Sequence, residues 1–156
     1  MKIAIAADPF AMDLKNEVKK HLETLGHEVT DVDGGEEMAY YDGASAVAKL
    51  VQEGQAERGI LFCGTGMGMS IVANKFSGVI ASCVESIFAA RMCRAINNAN
   101  VLTMGSMIMA PWSANLAVDA FLETAHTETL EQFEEFLKAA VETVEGIDQA
   151  NRATPS

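Results

Sequence analysis

Apolar residues along this chain alternate between short continuous runs and rows spaced as on one face of a helix. Residues 2–7 form an apolar run that ends at Asp8 and predicts a strand, and residues 13–25 have helical spacing closed by Gly26. The alternation then continues to residue 124. Further strands are predicted at 28–32, 59–62, 79–83 and 101–105, and further helices at 42–53, within 68–76, at 85–97 and at 111–124.

Five strands that alternate with helices predict an α/β fold. The expected architecture is a doubly wound five-stranded parallel sheet, Rossmann-like or flavodoxin-like, with helices on both faces. Residues 129–145 predict an extra C-terminal helix from the spacing of Leu130, Phe133, Leu137 and Val141, with no strand after it. We expect one domain over residues 1–150 and a frayed tail at 151–156.

Composition and cysteine content favour a cytoplasmic protein. The 156 residues, 49% of them hydrophobic, suffice for one well-packed domain. No apolar run approaches the roughly 18 residues that span a membrane, and the N-terminus has no signal-peptide pattern. The three cysteines form no Cys-x-x-Cys pair, which favours reduced thiols in the cytosol.

The net charge of −11 limits the possible ligands. Nucleic acids and anionic membrane surfaces would be repelled, so neither is an expected partner. A small anionic substrate would need a local positive site, for which Arg91 and Arg94, three residues apart on one helix, and Lys75 are the candidates. Surface salt bridges are the alternative role for these three residues.

A glycine-rich loop, Cys63-Gly64-Thr65-Gly66-Met67-Gly68, follows the third predicted strand. Ligands of open parallel sheets bind beyond the carboxyl ends of the strands. Alternating glycines let backbone N–H groups turn toward an anion. The spacing matches neither a dinucleotide fingerprint nor a P-loop, and a tight turn without a ligand remains the alternative.

Two side chains at this predicted edge can carry acid–base chemistry. Cys63, at the mouth of the loop, is a candidate base or nucleophile because nearby N–H groups stabilise a thiolate; a buried core cysteine is the alternative. Asp8 can bind a substrate hydroxyl or cap the following segment. His21, His27 and His126 form no cluster, so no metal site is expected.

Taken in order, the motifs resemble those of the ribose-5-phosphate isomerase B and galactose-6-phosphate isomerase family. The resemblance runs from Met1 to about Thr124. It depends on four segments at compatible spacing: Lys2-Ile3-Ala4-Ile5-Ala6-Ala7-Asp8; Cys63-Gly64-Thr65-Gly66-Met67-Gly68-Met69-Ser70 with Ala73-Asn74-Lys75; Asn97-Asn98-Ala99-Asn100-Val101-Leu102; and Gly105-Ser106.

This resemblance implies an aldose–ketose isomerase that needs no cofactor. The loop cysteine, Cys63 here, would abstract the proton between C1 and C2, and the loop amides would hold the enediolate oxygen. Asp8 and Asn97 would bind sugar hydroxyls. The residues matched to the loop are Gly64, Thr65, Gly66 and Gly68. The resemblance also implies a homodimer or homotetramer in which a neighbouring subunit completes each site.

Departures from the family pattern bear on the substrate. Ile96 stands where the family has a histidine that helps open the sugar ring, and Pro9 and Met107 replace a histidine and an arginine. The C-terminal arginines that hold the phosphate are missing as well. A four-carbon sugar phosphorylated at C4 cannot close a ring, so we predict the erythrulose 4-phosphate and erythrose 4-phosphate pair. A partner-dependent subunit and a phosphate- or nucleotide-binding module remain alternatives.

Overall fold

The five predicted strands form one parallel sheet in the computed structural model, which describes residues 1–153. Their order across the sheet is β2-β1-β3-β5-β4. The strands are β1 (Lys2–Ala7), β2 (Glu28–Asp31), β3 (Arg58–Cys63), β4 (Ala81–Cys83) and β5 (Val101–Gly105). The predicted α/β class, with a doubly wound parallel sheet, is therefore confirmed.

Burial differs between the centre and the edges of the sheet. The central strands β1, β3 and β5 are buried along nearly their whole length, as expected for strands covered on both faces. The edge strand β2 alternates between exposed and half-buried residues, and β4 has only three residues, all half-buried. Short, partly polar edges limit pairing with other chains.

Five of the six helices cover the two faces of the sheet, and the sixth, α6, packs against α4. Helices α1, α4 and α5 pack on one face around Phe62 and Leu102, and α2 and α3 cover the other around Leu61 and Val101. Their bounds are α1 (Met12–Thr24), α2 (Tyr40–Gln52), α3 (Met67–Ala73), α4 (Ile87–Asn97), α5 (Pro111–Glu123) and α6 (Glu134–Ala153). None of these helices, within residues 1–153, has the length and apolarity to cross a membrane.

The C-terminal helix starts later than predicted. Thr127 and Thr129 have positive φ angles of 69° and 63°, which a helix cannot continue through, and a short 3-10 turn at Glu131–Phe133 comes before α6. Helix α6 then runs to Ala153, so the first three residues of the predicted tail are helical, and residues 154–156 lie outside the described residues. Phe133, expected in the apolar row, is 53% exposed.

Candidate active site

Cys63 ends β3 at the carboxyl edge of the sheet, directly beside Gly105 of β5. The side chain is buried, and its sulfur accepts a hydrogen bond of 3.0 Å from the backbone N–H of Gly66. The predicted loop therefore folds back so that one of its own amides faces the thiol. Thr65, the next candidate, is half-buried, and its Oγ1 accepts the N–H of Met67 at 3.3 Å.

Glycine is required where the loop lies against β5. Gly66 has a φ of +79°, and a Cβ there would be 2.8 Å from the backbone carbonyl carbon of Met104. A Cβ on Gly105 would lie 2.5 Å from the backbone of Thr65. The hydroxyl of Thr103 also donates to the carbonyl of Gly66 at 2.8 Å. Close approach of two backbones therefore fixes the position of the loop.

The other two loop glycines lie under side chains from neighbouring elements. A Cβ on Gly64 would be 3.4 Å from Cε of Met107, and a Cβ on Gly68 would be 2.9 Å from the ring of Tyr40. Tyr40 and Met107 therefore flank the loop. The sequence did not single out Tyr40. Tyr40 starts α2, the helix that follows β2, and it therefore lies at the carboxyl edge of the sheet, as the glycine loop does.

Asp8 lies next to the loop on the neighbouring strand. Its backbone N–H donates to the carbonyl of Phe62 at 3.0 Å, which places Asp8 beside the end of β3. Its Oδ1 accepts the N–H of Phe10 at 3.0 Å, so the carboxylate also performs the capping role considered for it. Burial raises the pKa of Asp8, although the N–H groups of Phe10 and Ala11 oppose that shift.

Ser106 connects the turn after Asp8 to the glycine loop. Its hydroxyl donates to the carbonyl of Phe10 at 2.8 Å, and its N–H donates to the carbonyl of Cys63 at 3.0 Å. The N–H of Met107 makes the corresponding bond to Gly64 at 3.0 Å. The ends of three strands are thereby joined into one rigid edge.

A buried ion-pair network supports the end of β1. Lys15 is fully buried and contacts both Asp33 and Asp31, the latter at 2.8 Å. Asp33 also accepts the N–H of Ala7 at 2.8 Å, one residue before Asp8. Strand β2 pairs only as far as Asp31, so this N–H would otherwise have no ladder partner. The sequence analysis did not single out this network.

Arg94 is not available to a substrate, contrary to prediction. Its side chain is 5% exposed, and its guanidinium bonds the carbonyls of Ala99 and Thr124 and lies 5.8 Å from the centre of the Phe121 ring. Burial, assisted by the charge of Arg58, lowers the pKa of Arg94 to about 10. Arg94 holds the C-terminal ends of α4 and α5 together.

Of two further predicted residues, Asn97 lies away from Cys63 of the same chain, and Arg91 is exposed. Asn97 ends α4 at the amino edge of the sheet, about 13 Å along β5 from the edge that holds Cys63. It lines a cavity of about 250 Å³ between α4 and α6. The Arg91 side chain is exposed on α4, and its guanidinium makes no hydrogen bond or ion pair with any residue in 1–153. Its spacing from Arg94 does not give the two a common environment.

Together, the fold and this edge define a class of protein: an α/β enzyme built for proton transfer on a small hydroxylated substrate. A thiol that accepts an N–H group of its own glycine loop and a carboxylate on the neighbouring strand are groups that such chemistry uses. The chain belongs to the ribose/galactose isomerase family, whose model matches residues 3–140. The family membership and the aldose–ketose isomerase activity predicted from the sequence are thus confirmed.

Individual relatives cover more than three quarters of the chain. It is 46% identical to the 4-deoxy-4-sulfo-D-erythrose isomerase of Clostridium sp. (strain MSTE9), over 96% of this chain and 97% of the relative. It is 40% identical to the D-erythrulose-4-phosphate isomerase of Pectobacterium atrosepticum, over 79% and 83%. The structure of Clostridium thermocellum ribose-5-phosphate isomerase B superimposes with a TM-score of 0.89 at 33% identity, over 97% and 99%.

Proposed function

We propose that this isomerase interconverts a four-carbon aldose and its ketose, each with an anionic group on C4. The observation that carries the proposal is Ile96, an apolar residue at the position where a ring-opening histidine was expected. A tetrose whose C4 carries phosphate or sulfonate has no hydroxyl that can close a five-membered ring, so it needs no such group. Two relatives, a sulfo-erythrose isomerase and an erythrulose-4-phosphate isomerase, are named for substrates of this kind.

In the proposed mechanism Cys63, as thiolate, takes the proton from the hydroxyl-bearing carbon next to the carbonyl. The electrons of that C–H bond form the enediolate, whose oxygens are held by N–H groups of Gly64, Thr65 and Gly68, while the N–H of Gly66 stabilises the sulfur of Cys63. Asp8 binds a substrate hydroxyl, and the Thr65 hydroxyl relays a proton between the substrate oxygens on C1 and C2. Cys63 then returns its proton to the adjacent carbon, which completes the exchange of aldose and ketose.

A homodimer or homotetramer is part of the proposal. Apolar side chains on α6 are open to solvent in the single chain, with Phe136 72% and Ile147 57% exposed. Asn97 lies away from its own Cys63, so it would act in the site of a neighbouring copy. Arg91 is proposed to bind the anionic group of the substrate. A cytoplasmic location, which keeps the three cysteines reduced, is also proposed. Sedimentation of the purified protein as a monomer at micromolar concentration would contradict the homo-oligomer.

The role of Cys63 is tested by Cys63→Ala, with Cys93→Ala as a matched control. Cys93 is also buried, but it lies inside α4, where its thiol bonds the carbonyl of Ala90. We expect Cys63→Ala to lose about 10²-fold or more in kcat, the scale of a general base, while the oligomer and the fold persist. Near-full turnover by Cys63→Ala would exclude Cys63 as the base.

The substrate class is tested by kcat/KM values for the purified protein alone. Erythrose 4-phosphate and 4-deoxy-4-sulfo-erythrose are compared with ribose 5-phosphate at the same pH, buffer composition and salt concentration. We expect at least one four-carbon compound to be preferred. A clear preference for the pentose would overturn the inference from Ile96, and activity that requires a second protein would favour the partner-dependent alternative.

A further inference from the structure

We propose that Cys83 is a positioning residue for the reaction and acts on Cys63 through the peptide group between Thr65 and Gly66. The thiol of Cys83 donates to the oxygen of this peptide group, and the N–H of the same group donates to the sulfur of Cys63. Cys83 thereby strengthens the hydrogen bond that stabilises the Cys63 thiolate. The inference rests on the proposed function, in which that thiolate is the base.

The Thr65–Gly66 peptide group lies between the two thiols. The Sγ of Cys83 is 3.6 Å from the carbonyl oxygen of Thr65, and the nitrogen of Gly66 is 3.0 Å from the Sγ of Cys63. A trans peptide directs its C=O and its N–H in opposite directions, so each sulfur faces a different end of the group. Among residues 1–153, Cys83 is the only hydrogen-bond donor to this carbonyl.

The path of the glycine loop explains how two separate strands meet at one peptide group. Cys63 ends β3 and Cys83 ends β4, and β5 lies between these strands in the sheet. The loop crosses the end of β5, where Gly105 lies against the backbone of Thr65. This crossing brings the carbonyl of Thr65 to β4. The edge strand therefore contacts the site, although it supplies no group to the proposed mechanism.

Thr103 fixes the orientation of the next peptide group. It pairs with Cys83 in the sheet and is fully buried, and its hydroxyl donates to the carbonyl of Gly66 at 2.8 Å. The N–H of Ser70 donates to the same oxygen at 3.1 Å. Gly66 is held through its carbonyl as well as its N–H, so the preceding peptide group has little freedom to turn away from Cys83.

Cys83 keeps its proton when Cys63 is ionised. Burial raises the pKa of the Cys83 thiol; a hydrogen bond with Thr103 opposes this shift, and negative charge on Cys63 and on Glu85 adds to it. The other carboxylate at this place is Asp8, beside the end of β3. An S–H group is a weak donor, but a donor on a carbonyl oxygen polarises the peptide group and strengthens its N–H.

The test is an ultraviolet titration of the Cys63 thiolate, which needs neither substrate nor turnover. The Cys63 step in each protein is the absorbance change that disappears when Cys63→Ala is added. Cys83→Ala and Cys83→Val both remove the donor, and the valine keeps the volume and suits a strand. We expect both to raise the midpoint of the Cys63 step by about 0.3 pH unit or more, since linked hydrogen bonds strengthen one another by about 10–30%.

Two further variants separate the hydrogen bond from packing. Cys83→Ser keeps a donor, so we expect at least half of the shift to be absent. Cys93→Ala removes a thiol that bonds the carbonyl of Ala90 within α4, and the midpoint should not move. An unchanged midpoint in both Cys83→Ala and Cys83→Val would overturn the inference, and so would a shift in Cys83→Ser as large as that in Cys83→Ala.

Activity measurements distinguish this inference from the proposed function. If both hold, Cys83→Ala loses about twofold in kcat/KM at pH values below the midpoint, in proportion to the lost thiolate, and recovers above it. If Cys63→Ala keeps its turnover, Cys63 is not the base, and a positioning role of Cys83 falls with it. If Cys63→Ala is inactive but the titration of Cys83→Ala does not move, the base stands and only the role of Cys83 is wrong.

Discussion

The two sides of the candidate active site, at the carboxyl edge of the sheet, are held in place by different interactions. On the β1–β2 side, Ala7 and hence Asp8 are positioned by charged side chains, Lys15 and Asp33, buried beneath them. On the β3–β5 side, the loop after Cys63 is positioned by direct backbone contact at Gly105. The first half can be loosened by removing a charge, and the second by adding a single carbon atom.

The difference has a consequence for robustness. Ion pairs in a protein interior stabilise strongly only while both partners are present, because a lone buried charge is costly. A backbone contact contains no titrating group, so its strength does not depend on pH. We therefore expect the β1–β2 side to respond to charge and pH, and the β3–β5 side to respond to side-chain volume.

The largest effect is expected for Lys15→Met, which leaves Asp33 and Asp31 without their shared cation. Removal of one partner of a buried ion pair lowers the free energy of unfolding by about 3–5 kcal/mol. Lys20→Met is the matched control, because Lys20 pairs with Glu17 on the surface at 2.8 Å. That control should change stability far less than Lys15→Met does, because an exposed ion pair is screened by solvent. Urea unfolding measures both, and equal losses would refute the contrast.

The next effect is expected for Gly105→Ala. Its new Cβ would meet the Thr65 backbone at 2.5 Å and push the loop away from β5. We expect a loss of about 1–3 kcal/mol in unfolding free energy and a loss of about 10²-fold in kcat, because small displacements of catalytic groups are expensive. Gly146→Ala, in an open part of α6, should instead stabilise the protein by about 0.5–1 kcal/mol. A fully active Gly105→Ala would show that the contact is dispensable.

A smaller effect is expected for Asp8→Asn, which separates function from stability. We expect kcat/KM to fall about tenfold or more, since an ionic hydrogen bond to substrate is lost. Burial raises the pKa of Asp8, so the folded protein holds this proton to higher pH than the unfolded chain. The contribution of Asp8 to stability therefore decreases as the pH rises from about 4 through the raised pKa.

Asp8→Asn should lack that decrease. Its unfolding free energy, compared with that of the unchanged protein, should improve between pH 4 and pH 7. The contribution of Asp31 to stability changes with pH in the opposite direction. Burial raises the pKa of Asp31, but hydrogen bonds from Lys15 and Lys19 lower that pKa overall. Asp31 therefore contributes stability above about pH 4 that is lost on acidification. If Asp8→Asn and the unchanged protein had parallel pH profiles, the burial of Asp8 would have no energetic consequence.

Much of the fold was predictable because its signals are local. Apolar runs and helical rows placed all five strands, and the glycine pattern located the loop beside Cys63. The start of α6 was not predictable in this way. Thr127 and Thr129 adopt positive φ angles, which threonine rarely does, and the chain turns there. The spacing of the apolar residues through Phe133 nevertheless predicts a helix in this region.

The charged residues show a second limit. From the sequence, Lys15 resembles a surface residue of an amphipathic helix, but Asp31 and Asp33, at and just after the end of β2, bury it in ion pairs. Arg91 and Arg94 share a spacing but not an environment, because packing of α5 against α4 encloses only Arg94. Such partners are far apart in sequence, and no local pattern records them. Tyr40 over Gly68 is a further contact of this kind.

The position of the site along the chain has an evolutionary consequence. Asp8, the Cys63 loop and Ser106 all precede α5, and the last two helices supply neither the proposed base nor any part of the loop. Natural selection can therefore change the sequence of the C-terminal helices while inheriting the base and the glycine loop unchanged.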